Sequence, residues 1–435
     1  MLIFKLLGNN LQLPEIVYLP LLAYTLLNLR RSILSKLHWN LLDTAVILYV
    51  ASVILSWIVN RTLNAFGEVA AAGYLTSLYF VLRYWQVYKA EHQTQAYIEP
   101  IRTPIGNISL FILDIQKVIL YTGYIAFTTG VAGYFLGYFG VYDFVRLDYY
   151  YPFLGEVYRT KGFFANPIFF VTHIGCVLIM QAARQFSPND VSAERSASSW
   201  LFISSGAWWC VALVFVLMLT KIKSLLSLFG ILCLLFAWFT PKRGLKYSSA
   251  ALGSMGIIAY LFFSHWLVLD RHDPNFEAKL HTAYYSQNHT WTPLGNYYAL
   301  IPTFYTVRKE SAYIIGKRAF PWGIGGNELC NAKEPLWEAK GMDTMIGAAP
   351  HSTYWGVFAE LGLLGMIAIF ALLWASLQAI YTKFDSPLRP YYLAILFFLC
   401  LEAFTVDLMN VRLIWVLLSL LSGLSIRKTP PLDNF

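Results

Sequence analysis

The sequence predicts an all-α polytopic membrane protein, with about 11–12 membrane-crossing helices and one large external loop. Three observations carry that expectation. The 435-residue chain is 57% hydrophobic and only 13% charged, a balance outside the range of soluble globular domains. Apolar blocks recur at 13–29, 41–60, 67–84, 108–139, 167–183, 200–219, 224–240, 249–268, 353–380, 391–407 and 411–425, and roughly 20 apolar residues suffice to cross a hydrocarbon layer about 30 Å thick. The basic residues of the short loops fall on alternate loops, the pattern that marks the cytoplasmic side.

Residues 1–10 are too short and too weakly patterned for a cleavable secretory signal, so insertion relies on the first helices. Arg30, Arg31 and Lys36 follow the first block; Arg83 and Lys89 follow the third; Arg184 and Arg195 follow the fifth. Lys242, Arg243 and Lys246, then Lys383 and Arg389, then Arg427 and Lys428 complete the series. One alternating topology puts all of them inside and the amino terminus outside. It divides the chain into helices with short loops at 1–269, a large external loop at 270–350 and further helices at 351–435, one membrane domain in all. The net charge of +8 is spread singly between apolar blocks, so no basic face for nucleic acid forms. Four of the five cysteines lie in apolar blocks and only Cys330 in a polar stretch, which gives no disulfide framework.

Cations also gather outside, against the charge rule. They are Lys221 and Lys223 between two apolar blocks, Arg146, Arg159 and Lys161 in 141–166, and Arg308, Lys309, Lys317 and Arg318 in the long loop. The two hairpin lysines either snorkel to the lipid interface or hold a ligand. An outer surface that collects cations points to an anion such as a phosphate. The long loop reads as helical around 307–318, and Tyr284, Tyr285, Trp291, Tyr297, Tyr298, Phe304, Tyr305, Tyr313 and Trp322 either build a small core there or stack on sugar rings. Asp270, Asp273 and Glu277 are separated and read as solvated, so no metal-ligand spacing is present, and neither a metal nor a cofactor is expected.

The strongest local pattern is Pro350-His351-Ser352-Thr353-Tyr354-Trp355, leading to Glu360-Leu361-Gly362-Leu363-Leu364-Gly365 and an apolar run. His351 stands at the outer mouth of a helix, where it is either a capping residue or a group that titrates near neutral pH beside the lipid boundary. Glu360 lies about two and a half turns deeper, where a carboxylate costs about 2.5–3.5 kcal/mol near a helix centre, so a packing bond is its first expected role. Gly323-Ile324-Gly325-Gly326 has no preceding strand and no following lysine-hydroxyl pair, and is a loop turn, not a nucleotide loop.

With His351, Glu360, Gly362, Leu363 and Gly365 the chain resembles the O-antigen ligase and polymerase superfamily, whose outer loop ends in a histidine before a Glu-x-Gly-Leu-x-Gly helix. Arg308, Tyr313 and Pro321-x-Gly323-x-Gly325 are similar to that family's arginine, aromatic and Pro-x-Gly-x-Gly segment, and Asp407, Asn410 and Arg412 to its last polar turn. The likeness covers roughly 200–425 and is most specific over 308–365. In Leu219-Thr220-Lys221-Ile222-Lys223-Ser224, Lys223 occupies the place of a family arginine, keeping the charge without the planar fork.

The resemblance implies a GT-C-like membrane glycosyltransferase of the bacterial inner membrane, facing the periplasm with its large loop. It implies an undecaprenyl pyrophosphate-linked glycan as donor, lipid A core as acceptor, and the bilayer around both. His351 is the implied base; Arg308, Lys223, Lys221, Arg159 and Arg412 the substrate-binding groups; Glu360 and Asp407 supporting residues; the transfer is inverting and metal-independent. A polymerase of lipid-linked repeats shares the same features. A flippase for lipid-linked sugars is the alternative of another class, and would show internal repeats and interrupted helices, neither of which the sequence displays.

Overall fold

A computed structural model describes residues 13–35, 37–96, 115–141, 145–151, 155–162, 164, 167–185, 223–273, 276, 292–294, 297–329, 331–332, 350–383 and 389–423. The block expected at 200–219, Lys221, and the inner cations Lys36, Arg195, Arg427 and Lys428 lie outside these residues. In the first half come α1 (Leu13–Leu27), the short α2 (Arg31–Leu34), α3 (Leu41–Asn60), α4 (Leu63–Ala96), α5 (Ile115–Tyr138) and α6 (Pro167–Gln185). In the second come α7 (Ser224–Phe239), α8 (Arg243–His265), α9 (Phe304–Arg318), α10 (Thr353–Lys383), α11 (Arg389–Glu402) and α12 (Arg412–Gly423). Among the described residues, five stretches are long and apolar enough to cross a membrane: Leu41–Asn60, Leu63–Tyr88, Val118–Tyr138, Arg243–His265 and Thr353–Thr382. The apolar helices Pro167–Gln181, Ser224–Phe239 and Arg412–Ser422 are shorter. The chain is therefore a mostly helical, multi-pass membrane protein.

Among the described residues, two small antiparallel sheets accompany the helices of this all-α membrane fold. β1 (Val145–Tyr151) pairs with β2 (Gly155–Thr160) as a hairpin between α5 and α6. β3 (Trp266–Asp270), β4 (Thr292–Leu294) and β5 (Tyr298–Pro302) form a sheet in the order β3-β5-β4. The apolar block at 249–268 reads through into β3 because Trp266, Leu267 and Val268 are apolar, but aromatic and β-branched residues suit a pleated strand and Tyr298–Pro302 offers a paired edge. Leu269, Ala299 and Ile301, with Leu267 and Phe276 against them, fill this sheet's own cluster.

Among the described residues, the glycine loop and the starts of α9 and α10 lie toward one end of the bundle, here the loop end. The opposite end is closed by a buried ion pair. Asp43 caps α3, accepting from Asn40 N at 2.8 Å, and its other oxygen takes the Tyr79 hydroxyl at 2.6 Å and pairs with Arg83. Arg83 also donates to His38 O, and Asn40 Nδ2 reaches Ser422 Oγ at 2.8 Å, so α3, α4 and α12 are tied at one level. Arg83, expected as a free inside anchor, is only 4% exposed. A guanidinium at that depth needs its partner, because an unpaired charge in a low-dielectric interior costs several kcal/mol.

Small residues set the closest helix contacts. A Cβ at Gly230 would come within 2.7 Å of Gly253 O, so α7 and α8 pack backbone to backbone, the usual route to helix association where lipid competes for apolar side chains.

The one break in a long span is in α10. Gly362 has φ 64° and ψ −147°, a region open in practice only to glycine. The break frees two carbonyls and one amide, and within lipid each must find a partner. Ile324 N donates to Ala359 O at 2.9 Å, Gly325 N to Glu360 O at 3.1 Å, and Ser56 Oγ to Glu360 O at 2.8 Å. Leu363 N donates in turn to Pro321 O at 2.8 Å. The Pro-x-Gly-x-Gly loop thus lies inside the gap, with Asn60 Nδ2 of α3 holding Gly323 O at 3.2 Å. Any Cβ at Gly323 would collide with Glu360 O, and any at Gly362 with Pro321 O. An interrupted helix, absent from the sequence reading, is present after all, and its interruption is filled by the chain's own backbone.

Candidate functional site

His351 sits two residues before α10, exposed, with φ 45°. Left-handed backbone is uncommon for a residue with a side chain, and histidine tolerates it better than most. The residues after it are locked. Ser352 Oγ donates to Ala403 O at 3.0 Å; Thr353 N donates to Ala403 O at 2.9 Å and to Val406 O at 3.1 Å; Leu408 N donates to Thr353 Oγ1 at 2.9 Å. Tyr354 OH adds a bond to Cys400 O at 3.1 Å. The start of α10 is thereby riveted to the turn between α11 and α12, and the His351 ring stands at its rim.

That turn carries the family-like polar residues. Asp407 accepts from Met409 N at 3.2 Å and from Asn410 Nδ2 at 3.0 Å, and Trp415 Nε1 donates to Met409 O at 2.8 Å. Asp407 therefore shapes its own turn, as expected of a supporting residue. Arg412 opens α12, half-buried, in the next turn of chain. Glu360 Oε1 accepts Leu329 N at 3.1 Å, which holds the end of the glycine loop to α10.

A third carboxylate escaped the sequence reading. Glu68, near the start of α4, shares an electrostatic neighbourhood with Glu360 and Asp407 around the buried Tyr49 of α3. Its stem packs where a Cβ at Gly326 would fall, 2.8 Å away. The signal was available, since Glu68 stands in an apolar span by the same logic that singled out Glu360. Among the described residues, no cluster of His, Cys, Asp or Glu has the grouping to hold a metal ion.

The cations are sorted by α9. Its cap, Thr303, sits directly on the end of α8: Thr303 N donates to His265 O at 2.8 Å and Thr306 Oγ1 to His265 O at 3.0 Å. Tyr313 packs against Trp355 and Phe358 of α10 with ring centroids 5.7 and 6.1 Å away. So α9 lies across the loop end between α8 and α10. Because α8 is packed on α7, Lys309 comes over Lys223 at the start of α7, close enough for the two charges to repel. Burial, with the Lys309 charge added, brings the Lys223 ammonium down to about 8; burial alone brings Lys309 down to about 8. Arg308 is half-buried on the same helix, while Lys317 and Arg318 are exposed at its far end. The four-cation cluster of the sequence is thus split.

Below Lys223, Ser224 Oγ and Ser227 Oγ donate to the buried Glu402 at 2.7 and 3.0 Å. Arg159 lies on β2, opposite Arg146 in register, over α5, to which Thr160 Oγ1 is bonded at Gly130 O at 2.6 Å. The structure brings Lys223 to α9 and His351 to the Asp407 turn; Arg159 belongs to the separate hairpin.

Two further expectations change. Asp270 and Asp273, read as solvated, are 6% and 5% exposed. Asp270 accepts His272 N at 3.0 Å and so caps the turn after β3. Among the described loop aromatics, Tyr297, Tyr313 and Trp322 face outward at 60%, 47% and 51% exposure, and aliphatic residues make the sheet's core. Tyr284, Tyr285 and Trp291 lie outside the described residues.

A small apolar cavity of about 100 Å³ lies between α10, α11 and α12, with Thr353, Leu372, Leu396, Ala403 and Leu408 among its lining residues.

Fold and site together define a multi-pass helical membrane protein with a polar, cation-bearing platform at one end. No known protein family, curated protein or solved structure matches the chain.

Proposed function

We propose that this chain is a membrane glycosyltransferase of the O-antigen ligase type, moving a glycan from an undecaprenyl pyrophosphate carrier to the lipid A core at the periplasmic face of the bacterial inner membrane. The observation that carries the reading is the placement of His351 at the head of α10, bound through Ser352 and Thr353 to the turn that bears Asp407 and Arg412. A polyprenyl chain lying in the bilayer beside these helices brings its head group to the platform that bears His351 and Arg308.

In this reading His351, in its neutral form, takes the proton from an acceptor hydroxyl as that oxygen attacks the anomeric carbon. The bond from the anomeric carbon to the phosphate oxygen breaks in the same step, with inversion. The pyrophosphate leaves with the bonding electrons and is stabilised by Arg308 and Lys223, cations fixed in place before charge develops. Arg412 flanks the acceptor side, Arg159 on its separate hairpin takes no part in this step, and Asp407 and Glu360 keep the turn and the glycine loop in register. The interrupted α10 favours the flippase less than it first suggests, because its freed carbonyls already have partners, leaving none for a transported group.

Reconstitution with a polyprenyl pyrophosphate glycan and separate acceptors tests this. Product on lipid A core is expected; ladders on the carrier would make the protein a polymerase, and movement without chemistry a flippase. His351→Ala is expected to abolish transfer while the protein still inserts and melts as wild type. Near-normal transfer by that variant would remove His351 from the chemistry.

A further inference from the structure

We propose that Lys309 of α9 and Lys223 at the head of α7 form the two jaws of a built anion site, and that its ligand is a phosphate-type dianion or pyrophosphate. Lys309 is 5% exposed and its Nζ has no hydrogen-bond partner. Among the described residues neither it nor Lys223 forms an ion pair; the only nearby acid on α11, Glu402, is bonded to Ser224 and Ser227. Burying one unpaired ammonium costs several kcal/mol, and placing a second beside it adds repulsion. Such a pair persists where something of opposite charge completes it.

The third element is α7 itself, 16 residues long, whose positive end faces the same place. Helix N-termini favour anions through their free amides and aligned dipoles. Lys223 stands immediately before its first residue and is half-buried there, so its charge adds to the positive end of the helix. Lysine is a compact, strongly hydrated charge without a planar fork, so two lysines on different elements fit a tetrahedral group gripped from two sides. α9 is set on α8 by its Thr303 cap, which makes the site a joint between the loop module and the membrane helices.

The identity of the ligand as the donor's pyrophosphate rests on the function proposed above; the site itself does not. The same chemistry is offered by an anionic lipid headgroup or by a free anion.

The test uses the full chain in neutral detergent at pH 7 and constant ionic strength. Inorganic pyrophosphate is titrated against wild type, Lys309→Met, Lys309→Arg, Lys223→Met and Lys317→Met, read by calorimetry and thermal melting. Wild type is expected to bind and to melt higher with pyrophosphate. Lys309→Met, which removes a buried charge at nearly constant volume, is expected to melt no lower than wild type without ligand yet to lose at least about tenfold in affinity, since a bond to a charged group contributes about 1.5–3 kcal/mol. Lys309→Arg and the exposed Lys317→Met should bind as wild type.

Repeating the titration in nanodiscs with and without phosphatidylglycerol separates the sources. If a lipid headgroup is the ligand, the anionic lipid displaces pyrophosphate from wild type and not from Lys309→Met. Equal pyrophosphate affinity in wild type and both Met variants, or no response of wild type to pyrophosphate or to anionic lipid, overturns the site. Lys309-dependent binding without glycan transfer in reconstitution leaves the site standing and sinks the glycosyltransferase. Transfer with an unchanged donor KM in Lys309→Met does the reverse.

Discussion

At position 351 the backbone turns left-handed beneath an exposed ring, while the neighbours Ser352 and Thr353 are buried and fully bonded. Left-handed backbone costs an ordinary residue about 1–2 kcal/mol, so His351→Gly is expected to melt at or above wild type while losing transfer. A melting point well below wild type would mean that the ring packs more than it strains. The two lysines make a pH prediction at the same scale. Their folded values near 8 lie below the value of about 10.4 for an unfolded lysine. Between those limits the unfolded chain holds protons that the folded chain has released, so stability rises with pH there. Without added anion, the melting point of wild type should rise from pH 8 to 10, and Lys309→Met should flatten the rise. Binding of sulfate, whose own charge is constant in this window, should weaken over the same range; a sulfate affinity independent of pH would contradict the loss of charge from the two lysines.

Among the elements, the spans were the most legible part of the sequence, because an apolar run of sufficient length has few other destinations. α3 begins and ends where the hydropathy does, at Leu41 and Asn60. β3 was hidden for the opposite reason: Trp266 to Val268 prolong an apolar run, and only the pairing edge of β5 turns them from helix to strand. The two glycine motifs could be seen as motifs but not as partners, since nothing local in Pro321 to Gly325 says that it fills a gap about 40 residues on. The places of His351 before α10 and of Glu360 within it could be read from position alone; the pairing of Lys223 with Lys309 required the seating of α9 on α8, a contact between distant segments. The prediction at this scale concerns Gly362. Gly362→Ala would put a methyl against Pro321 O in a backbone region closed to alanine, and should lower the melting point and expose the 321–329 loop to protease. Leu363→Ala, at an exposed neighbouring position, should do neither.

The molecule as a whole has unlike ends. One is tied by the buried cluster of Asp43, Arg83, Tyr79 and Ser422; the other gathers the glycine loop, His351 and the buried lysines. Removing half of the sealed pair should therefore act globally: Arg83→Leu alone is expected to destabilise by about 3–5 kcal/mol, and Arg83→Leu with Asp43→Leu much less, because the first leaves a buried carboxylate without its partner. Thermal melting in detergent distinguishes the two, and equal losses would show that packing, not charge, holds that end. The filled break in α10 carries a different consequence, for the order of assembly. The loop segment that completes this span, 321–325, is made by the ribosome before the span itself, so it must wait at the surface for a helix that is unfinished without it. Deleting it should leave α10 stalled at the translocation pore, measurable as a drop in the protease-protected fraction of nascent chains.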